Sequence, residues 1–290
     1  MEPMPNVQFN KVGGKIITGI HFIDEHRYIP KATAILNQVG NLRVTGETGT
    51  GKTYLVHMLA QITELPLFED VLTRDVSRWD LLGQDILESG SSAVRKGIVT
   101  QWLEAEKAIL YLDGANYCEP SIFSLIESLG DFRGTVFVPE LNRVYERTKN
   151  HFLIISFNPA EKIGYSGTYQ MNIATMRRFE GFSVEYLSIA KETELIKEIC
   201  DNYTFARKWV EIANKTRKLY QKGMVRTPLT TGNLKNYAKL WKYEHMAEDE
   251  IIDIAKSLYP EEERDTIVRL WESSDSAQDM FNSVKETNTP

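Results

Sequence analysis

The chain has 290 residues, of which 42% are hydrophobic and 26% charged, enough to bury a full core and to exclude a disordered chain. Its two cysteines are too few for a disulfide framework or a zinc site. No apolar run reaches the length of a membrane span, and the first 20 residues lack the pattern of a secretory signal. We therefore expect a cytoplasmic protein without membrane insertion.

Short apolar runs alternate with helical patterns in the first two thirds of the chain. The predicted strands lie at 42–45, 65–68, 108–112, 152–156 and 182–186, and the clearest predicted helices at 52–62, 97–106, 120–129 and 170–177. This alternation is typical of a parallel sheet with helices on both faces. We assign residues 1–186 to this α/β domain, with residues 1–40 as an N-terminal extension.

From residue 187 onward the pattern is helical only, which predicts a small all-helical domain over 187–272. Residues 273–290 are rich in Ser, Asp, Asn and Thr, and we expect a flexible tail there. Charge is distributed unevenly in this half. Residues 205–243 hold ten bases and one acid, whereas residues 244–290 hold thirteen acids and four bases. Opposite charges on successive helices could pair within this domain or between copies of the chain.

A phosphate-binding loop stands between the first predicted strand and the first predicted helix. The run Gly46, Glu47, Thr48, Gly49, Thr50, Gly51, Lys52 and Thr53 matches the pattern G-x-x-x-x-G-K-[ST] in full. Glycines let backbone N–H groups surround the phosphates, and the following helix adds its positive end. Lys52 supplies a charge for the β and γ phosphates, and the Thr53 hydroxyl is a predicted Mg²⁺ ligand. ATP and Mg²⁺ are thus the expected cofactors.

Two further strand ends carry polar residues that suit this site. Asp113 follows the apolar strand at 108–112, where a carboxylate would support the Mg²⁺ beside Thr53. Asn158 follows the strand at 152–156, where it could orient a water or contact the γ-phosphate.

These three elements in this order resemble an AAA+ ATPase, a P-loop NTPase fold with a helical lid. The runs at 80–83, 113–116, 138–140 and 157–160 resemble the MoxR branch, as does the segment 172–179 that ends in Met-Arg-Arg-Phe. The segment 230–234, which opens a helix in the C-terminal half, is most similar to the CbbQ/NorQ subgroup. The resemblance covers residues 30 to 272.

The resemblance implies a hexameric ring with ATP bound between subunits. Arg178, or Arg177 beside it, would then reach the neighbouring site as a trans-acting arginine. Residues 85–98 would form the family's helix-2 insert, and residues 134–148 its neighbouring hairpin. Family members remodel or activate a partner protein, often one with a von Willebrand factor A domain, so such a partner is implied.

Two positions depart from the family pattern. The family has Glu directly after Asp113 to polarise the attacking water, whereas this chain has Gly114. We expect ATP to be bound but hydrolysed slowly, and faster by a Gly114→Glu variant. Glu119 and Glu127 are the next carboxylates along the chain. The family's lid arginine is replaced by Gly232, and Arg226 is the candidate substitute.

Two alternatives to a remodelling ATPase stay open. One is a nucleotide-binding structural or assembly subunit with little turnover, which Gly114 favours. The other is a nucleic-acid-associated NTPase of the McrB type, suggested by the Arg-Arg-Phe run. Nucleic acid is the less favoured partner, because the aromatic residues of the basic segment recur at helical spacing and are expected in the core.

Overall fold

The structure, a computed structural model, describes residues 14–20, 22–88, 91–158 and 173–286. These residues divide into two compact units. Of the described residues, the first unit contains those up to Val184 except Thr48–Thr50, and the second contains Thr48–Thr50 and those from Glu185 onward. The α/β part thus ends at Val184, slightly before the expected residue 186.

The first unit is built on a sheet of five parallel strands, which are β1 Asn41–Thr45, β2 Leu67–Val71, β5 Ala108–Asp113, β8 His151–Phe157 and β9 Glu180–Ser183. Their order in the sheet is β2-β5-β8-β1-β9. The predicted α/β fold is confirmed. Strand β9 lies earlier than the apolar run at 182–186, because its ladder with β1 joins Leu42 to Glu180 and ends at Thr45 and Ser183.

Two hairpins lie outside this sheet. Strands β3 Gly83–Glu88 and β4 Ser91–Lys96 pair antiparallel over most of the segment expected to be the insert at 85–98. Strands β6 Thr135–Val138 and β7 Arg143–Glu146 pair antiparallel within the segment 134–148.

Helices cover both faces of the sheet. They are α1 Tyr28–Val39, α2 Lys52–Thr63, α3 Arg78–Leu82, α4 Ile98–Glu104, α5 Pro120–Gly130 and α6 Ile173–Arg178. Successive side chains of a strand face opposite sides. Accordingly Leu110 and Leu112 of β5 join the core beneath α4 and α5, while Ile109 and Tyr111 join the core beneath α1 and α2. The N-terminal extension therefore contributes a packed helix, α1, to this unit.

Arg147 joins several elements at the amino end of the sheet. Its guanidinium donates to the carbonyl oxygens of Gly40 at 2.6 Å, Leu129 at 3.0 Å and His151 at 2.8 Å. It also donates to the side-chain oxygen of Asn41. These contacts connect the end of α1, the start of β1, the end of α5 and the start of β8.

Asn41 extends this network to α6. Its Nδ2 donates to the carbonyl oxygens of Gly130 and Arg178, each at 2.8 Å. Asn41 is buried, so these contacts have little competition from water. The last residue of α6 is thereby held against the end of α5.

The second unit is helical throughout its described part from residue 189 to residue 286, apart from connecting segments. It contains α7 Ile189–Cys200, α8 Tyr203–Gln221, α9 Thr231–Tyr243, α10 Glu248–Lys256 and α11 Glu261–Glu286. Helix α11 continues into the segment where we expected a flexible tail.

Aromatic residues of the basic segment form the core of the second unit, as expected. The buried members are Phe205, Trp209, Tyr220 and Tyr237. The ring of Trp209 lies 4.8 Å from that of Tyr237 and 5.1 Å from that of Trp271. These buried rings are not available as stacking platforms for bases.

No helix among the described residues combines the length and the apolar character that crossing a membrane requires.

We predict that Arg147→Met destabilises the first unit by about 2–4 kcal/mol, because several enclosed carbonyl groups lose their donor at once. Thermal unfolding of the purified chain measures this effect. Arg133→Met is the matched control, since the Arg133 side chain is 69% exposed. It should change stability by less than about 0.5 kcal/mol. Equal effects of the two substitutions would contradict the role given to Arg147.

Candidate nucleotide-binding site

The phosphate-binding loop occupies the position that its sequence predicts. It begins where β1 ends at Thr45 and runs into α2, whose first residue is Lys52. Parallel strands end at a common edge of the sheet, and the ends of β5 and β8 flank that of β1 on one side. Residues after these strands therefore meet at the loop.

Lys52 is the centre of this arrangement. Its side chain is buried, and its Nζ donates to the carbonyl oxygens of Gly46 at 2.9 Å and Glu47 at 3.0 Å. It also donates to the side-chain oxygen of Asn158 at 2.8 Å. Burial lowers the pKa of Lys52 to about 8, and the carboxylates of Asp113 and Glu47 oppose this shift. The structure thus brings together Lys52, Asn158 and Asp113, which the sequence indicated at three separate places.

Thr53 and Asp113 lie together beside this lysine. The hydroxyl of Thr53 donates to Oδ2 of Asp113 at 3.3 Å. A hydroxyl and a carboxylate so placed are the oxygen ligands that Mg²⁺ prefers next to phosphates. The residues present therefore fit the ion that the sequence predicts.

Two residues that the sequence motifs did not indicate, Ser156 and Tyr111, orient Asp113. The hydroxyl of Ser156 donates to Oδ1 of Asp113, and the hydroxyl of Tyr111 donates to Ser156 at 3.0 Å. Burial and the nearby Asp113 raise the pKa of Tyr111, which keeps its hydroxyl protonated as a donor. The only signal in the sequence was that polar residues stand within otherwise apolar strands.

Asn116 was also missed as a support of the site. Its Nδ2 donates to the carbonyl oxygen of Asn158 at 3.0 Å, and Asn116 is buried. The side chain of Asn158 in turn approaches the hydroxyl of Tyr117 at 3.5 Å. The segment after β5 therefore fixes the residue that contacts Lys52.

The backbone conformation at position 114 explains in part why this residue is a glycine. Its φ is +73°, a left-handed conformation that other residues adopt at a cost. A Cβ atom there would lie 3.1 Å from Cδ2 of Tyr117 and 3.2 Å from the carbonyl oxygen of Leu72. A Gly114→Glu variant thus introduces strain along with its carboxylate.

Neither alternative carboxylate is bonded to Asp113 or Lys52 in the described structure. Glu127 accepts a hydrogen bond from the hydroxyl of Thr175, which fastens α5 to α6. Glu119 is the residue before α5 and is exposed.

Arg177 and Arg178 differ sharply although they are adjacent. Arg178 donates to the carbonyl oxygen of Ala174 at 2.7 Å and pairs with Asp131 at 3.4 Å. Its side chain is half-buried by these contacts. Arg177 is exposed at the end of α6. Arg178 is therefore engaged within its own chain, whereas Arg177 is exposed. Contact of either arginine with a second copy stays a prediction.

Arg226, the suggested lid contact, is engaged within the second unit. Its guanidinium lies 3.2 Å from a carboxylate oxygen of Glu262 and 3.5 Å from one of Glu263. Its nucleotide contact stays a prediction that these ion pairs do not support. Among the described residues, and apart from the backbone of its own helix and its chain neighbours, a Cβ at Gly232 would meet Oγ1 of Thr230 at 3.5 Å and no other atom within 4 Å. That position thus has room for a side chain.

Comparison with known proteins matches this site to a family. Residues 41–179 match the model of an AAA domain of the dynein-related subfamily. This segment runs from β1 to the residue after α6 and includes the phosphate-binding loop, Asp113, Asn158 and the arginine pair. Over this segment the α/β unit is thus similar to an AAA-type domain.

Individual proteins similar to this chain share about a quarter of their aligned residues with it. Over 178 residues the chain is 25% identical to an uncharacterized protein of Staphylococcus aureus (strain NCTC 8325), covering 58% of this chain and 66% of that protein. It is 26% identical over 178 residues to the denitrification regulatory protein NirQ of Pseudomonas aeruginosa, covering 61% and 66%. The chain thus spans slightly less than two thirds of the length of these relatives.

One solved structure, named a "putative ATPase" from Cytophaga hutchinsonii, is 17% identical and aligns with a TM-score of 0.48. The alignment covers 84% of this chain and 88% of that one.

We predict that Gly114→Ala destabilises the first unit by about 1–2 kcal/mol, because it places a Cβ in a left-handed conformation against the Leu72 carbonyl. Thermal unfolding measures the loss. Gly232→Ala is the matched control and should be neutral or slightly stabilising, since Gly232 lies near the start of a helix with space around it. An unchanged melting temperature for Gly114→Ala would contradict the prediction that a side chain is strained at this position. Gly114→Ala is also the proper reference for turnover by Gly114→Glu.

Proposed function

We propose that the chain is an AAA+ ATPase of the MoxR type that binds ATP with Mg²⁺, hydrolyses it slowly and remodels or activates a partner protein. The observation that carries the proposal is the enclosure of Lys52 by the phosphate-binding loop and Asn158, beside the pair of Thr53 and Asp113. This arrangement places a positive charge and two oxygen ligands at one sheet edge, as a nucleoside triphosphate requires.

In the proposed site each residue has one task. Backbone N–H groups of the loop and the start of α2 would surround the phosphates, and Lys52 would exchange its carbonyl partners for phosphate oxygens. Thr53 and Asp113 would hold Mg²⁺, which when bound neutralises phosphate charge. Ser156 keeps the Asp113 carboxylate oriented, and Asn158 is placed to orient a water near the γ-phosphate.

Slow turnover follows from Gly114. A glycine offers no carboxylate to polarise the attacking water, whereas the binding residues are intact. The same feature supports the second candidate, a nucleotide-binding structural subunit with little turnover. The two differ in whether a partner protein raises the rate, so turnover measured with and without a partner captured in the presence of ATP separates them.

The partner and assembly complete the proposal. NirQ is named a denitrification regulatory protein, which supports a regulatory role for this chain. The similarity to NirQ also supports the proposed CbbQ/NorQ subgroup. A partner with a von Willebrand factor A domain fits the MoxR resemblance. We propose a ring of copies, hexameric in this family, in which the exposed Arg177 reaches the neighbouring site.

We predict that Lys52→Ala weakens ATP·Mg²⁺ binding at least about 100-fold, because the phosphates lose their charge partner in a site shielded from water. Titration of the full chain with a fluorescent ATP analogue measures the affinity. Lys149→Ala removes an exposed lysine and should leave the affinity unchanged. Wild-type protein should bind ATP yet turn it over slowly. Ordinary turnover in the wild type, abolished by Lys52→Ala, would contradict the impaired hydrolysis.

We predict opposite signatures for the two arginines. Arg177→Ala should lower turnover about 10-fold or more with an unchanged melting temperature, because a trans arginine acts on the transferring phosphoryl group. Arg178→Ala should lower the melting temperature, since it removes the bonds to Ala174 and Asp131. Mixing Arg177→Ala with Lys52→Ala subunits should restore part of the activity, because each supplies what the other lacks. No recovery in mixed assemblies would exclude the trans role.

A further inference from the structure

The tip of the phosphate-binding loop is held by two residues of the second unit, to which Thr48–Thr50 themselves belong. The hydroxyl of Tyr186 donates to the carbonyl oxygen of Thr48 at 2.6 Å. Gly49 packs against Thr230 so closely that a Cβ at this glycine would lie 2.4 Å from Cβ of Thr230. Gly49 also has a φ of +79°, so a side chain there is excluded on both grounds.

A buried ion pair lies behind these two contacts. Both Glu192 and Arg217 are enclosed, with side chains 0% and 4% exposed. The guanidinium binds the carboxylate in a bidentate manner, at 2.7 Å and 2.9 Å, and its Nε donates to the carbonyl oxygen of Leu229 at 2.9 Å. A buried charge of this kind is tolerated only because its partner stays in place.

The ion pair contacts both routes to the loop tip. The guanidinium of Arg217 lies 3.7 Å from the centre of the Tyr186 ring. The hydroxyl of Thr231 donates to Oε1 of Glu192 at 2.6 Å, and Thr231 directly follows Thr230. The contacts thus form a closed circuit from Thr48 through the tyrosine and the ion pair back to Gly49.

We infer that Tyr186 is a positioning residue for the phosphates of the bound nucleotide, and that the Glu192–Arg217 pair fixes its ring. A hydrogen bond to the Thr48 carbonyl holds that peptide group in one orientation, which leaves the N–H groups of the loop directed at the phosphates. The ring is held in turn by a guanidinium that cannot move without unpairing a buried carboxylate. This inference rests on the proposed nucleotide binding and adds to it the residues that preorganise the loop.

The conservative test is Tyr186→Phe, which removes the hydroxyl and retains the ring against Arg217. Affinity is measured by titrating the full chain with a fluorescent ADP analogue and Mg²⁺, and stability by melting with and without nucleotide. We expect about three- to tenfold weaker binding, the effect of one lost hydrogen bond. The melting temperature without nucleotide should change little, while the increase produced by nucleotide should shrink.

Tyr203→Phe is the matched control, because Tyr203 is a tyrosine of the same unit with an exposed side chain. It should bind nucleotide like the wild type. Unchanged affinity of Tyr186→Phe would overturn the inference, as would a lower melting temperature with an unaltered nucleotide-induced increase, which a purely structural role would produce.

The role of the ion pair is tested by combining Tyr186→Phe with Glu192→Gln. If the pair acts through Tyr186, the loss of affinity in the double variant is smaller than the product of the two separate losses. Multiplicative losses, or wild-type affinity in Glu192→Gln, would overturn the role of the pair. If Glu192→Gln does not fold, the comparison of Tyr186→Phe with Tyr203→Phe decides alone.

Failure of the proposed function gives a different result. In that case neither the wild type nor Tyr203→Phe binds the ADP analogue, and the inference falls with it. If the wild type binds, Lys52→Ala does not and Tyr186→Phe is unaltered, only the inference fails.

Discussion

The site depends on the burial of one ammonium group. The charge of Lys52 has left most of its water, and burial lowers its pKa to about 8 even with Asp113 and Glu47 nearby. Such a charge must be met by oxygens, and the structure supplies them from the loop after β1 and from the end of β8. The order β5-β8-β1 brings these ends together. A nucleotide would enter a place already arranged around a positive charge.

Support for metal binding and support for hydrolysis are separate in this site. The carboxylate of Asp113 is oriented by hydrogen bonds from Ser156 and, through it, Tyr111. Such outer hydrogen bonds orient a metal ligand, but they do not activate a water for attack. The position after Asp113 is a glycine in a left-handed conformation, enclosed by Leu72 and Tyr117. The residues proposed to hold a nucleotide are therefore all present, while the group expected to activate water is missing and the backbone disfavours a side chain at its position.

Charges that look dispersed in the sequence are paired in the second unit. Lys208 of the basic segment binds Glu248 of the acidic one at 2.9 Å, and Arg226 binds Glu262 and Glu263. The expected pairing between the two segments thus occurs within the unit. The buried ion pair of Glu192 with Arg217 could not be foreseen from this pattern. Glu192 lies before the basic segment, and only the packing of α7 against α8 makes the two residues neighbours.

Local sequence alone determined the strands, the phosphate-binding loop and the polar strand ends, because each is encoded by residues adjacent in the chain. Lys52, Thr53, Asp113 and Asn158 could be named for this reason, since a parallel sheet brings strand ends to one edge. The tertiary structure decided what depends on distant neighbours. Asn41 and Asp131 hold Arg178, so that Arg177 is the exposed arginine, and the positions of Ser156 and Tyr186 became apparent only when the chain was folded. Adjacent residues of the same type were indistinguishable in sequence because burial and hydrogen bonding separate them only in three dimensions.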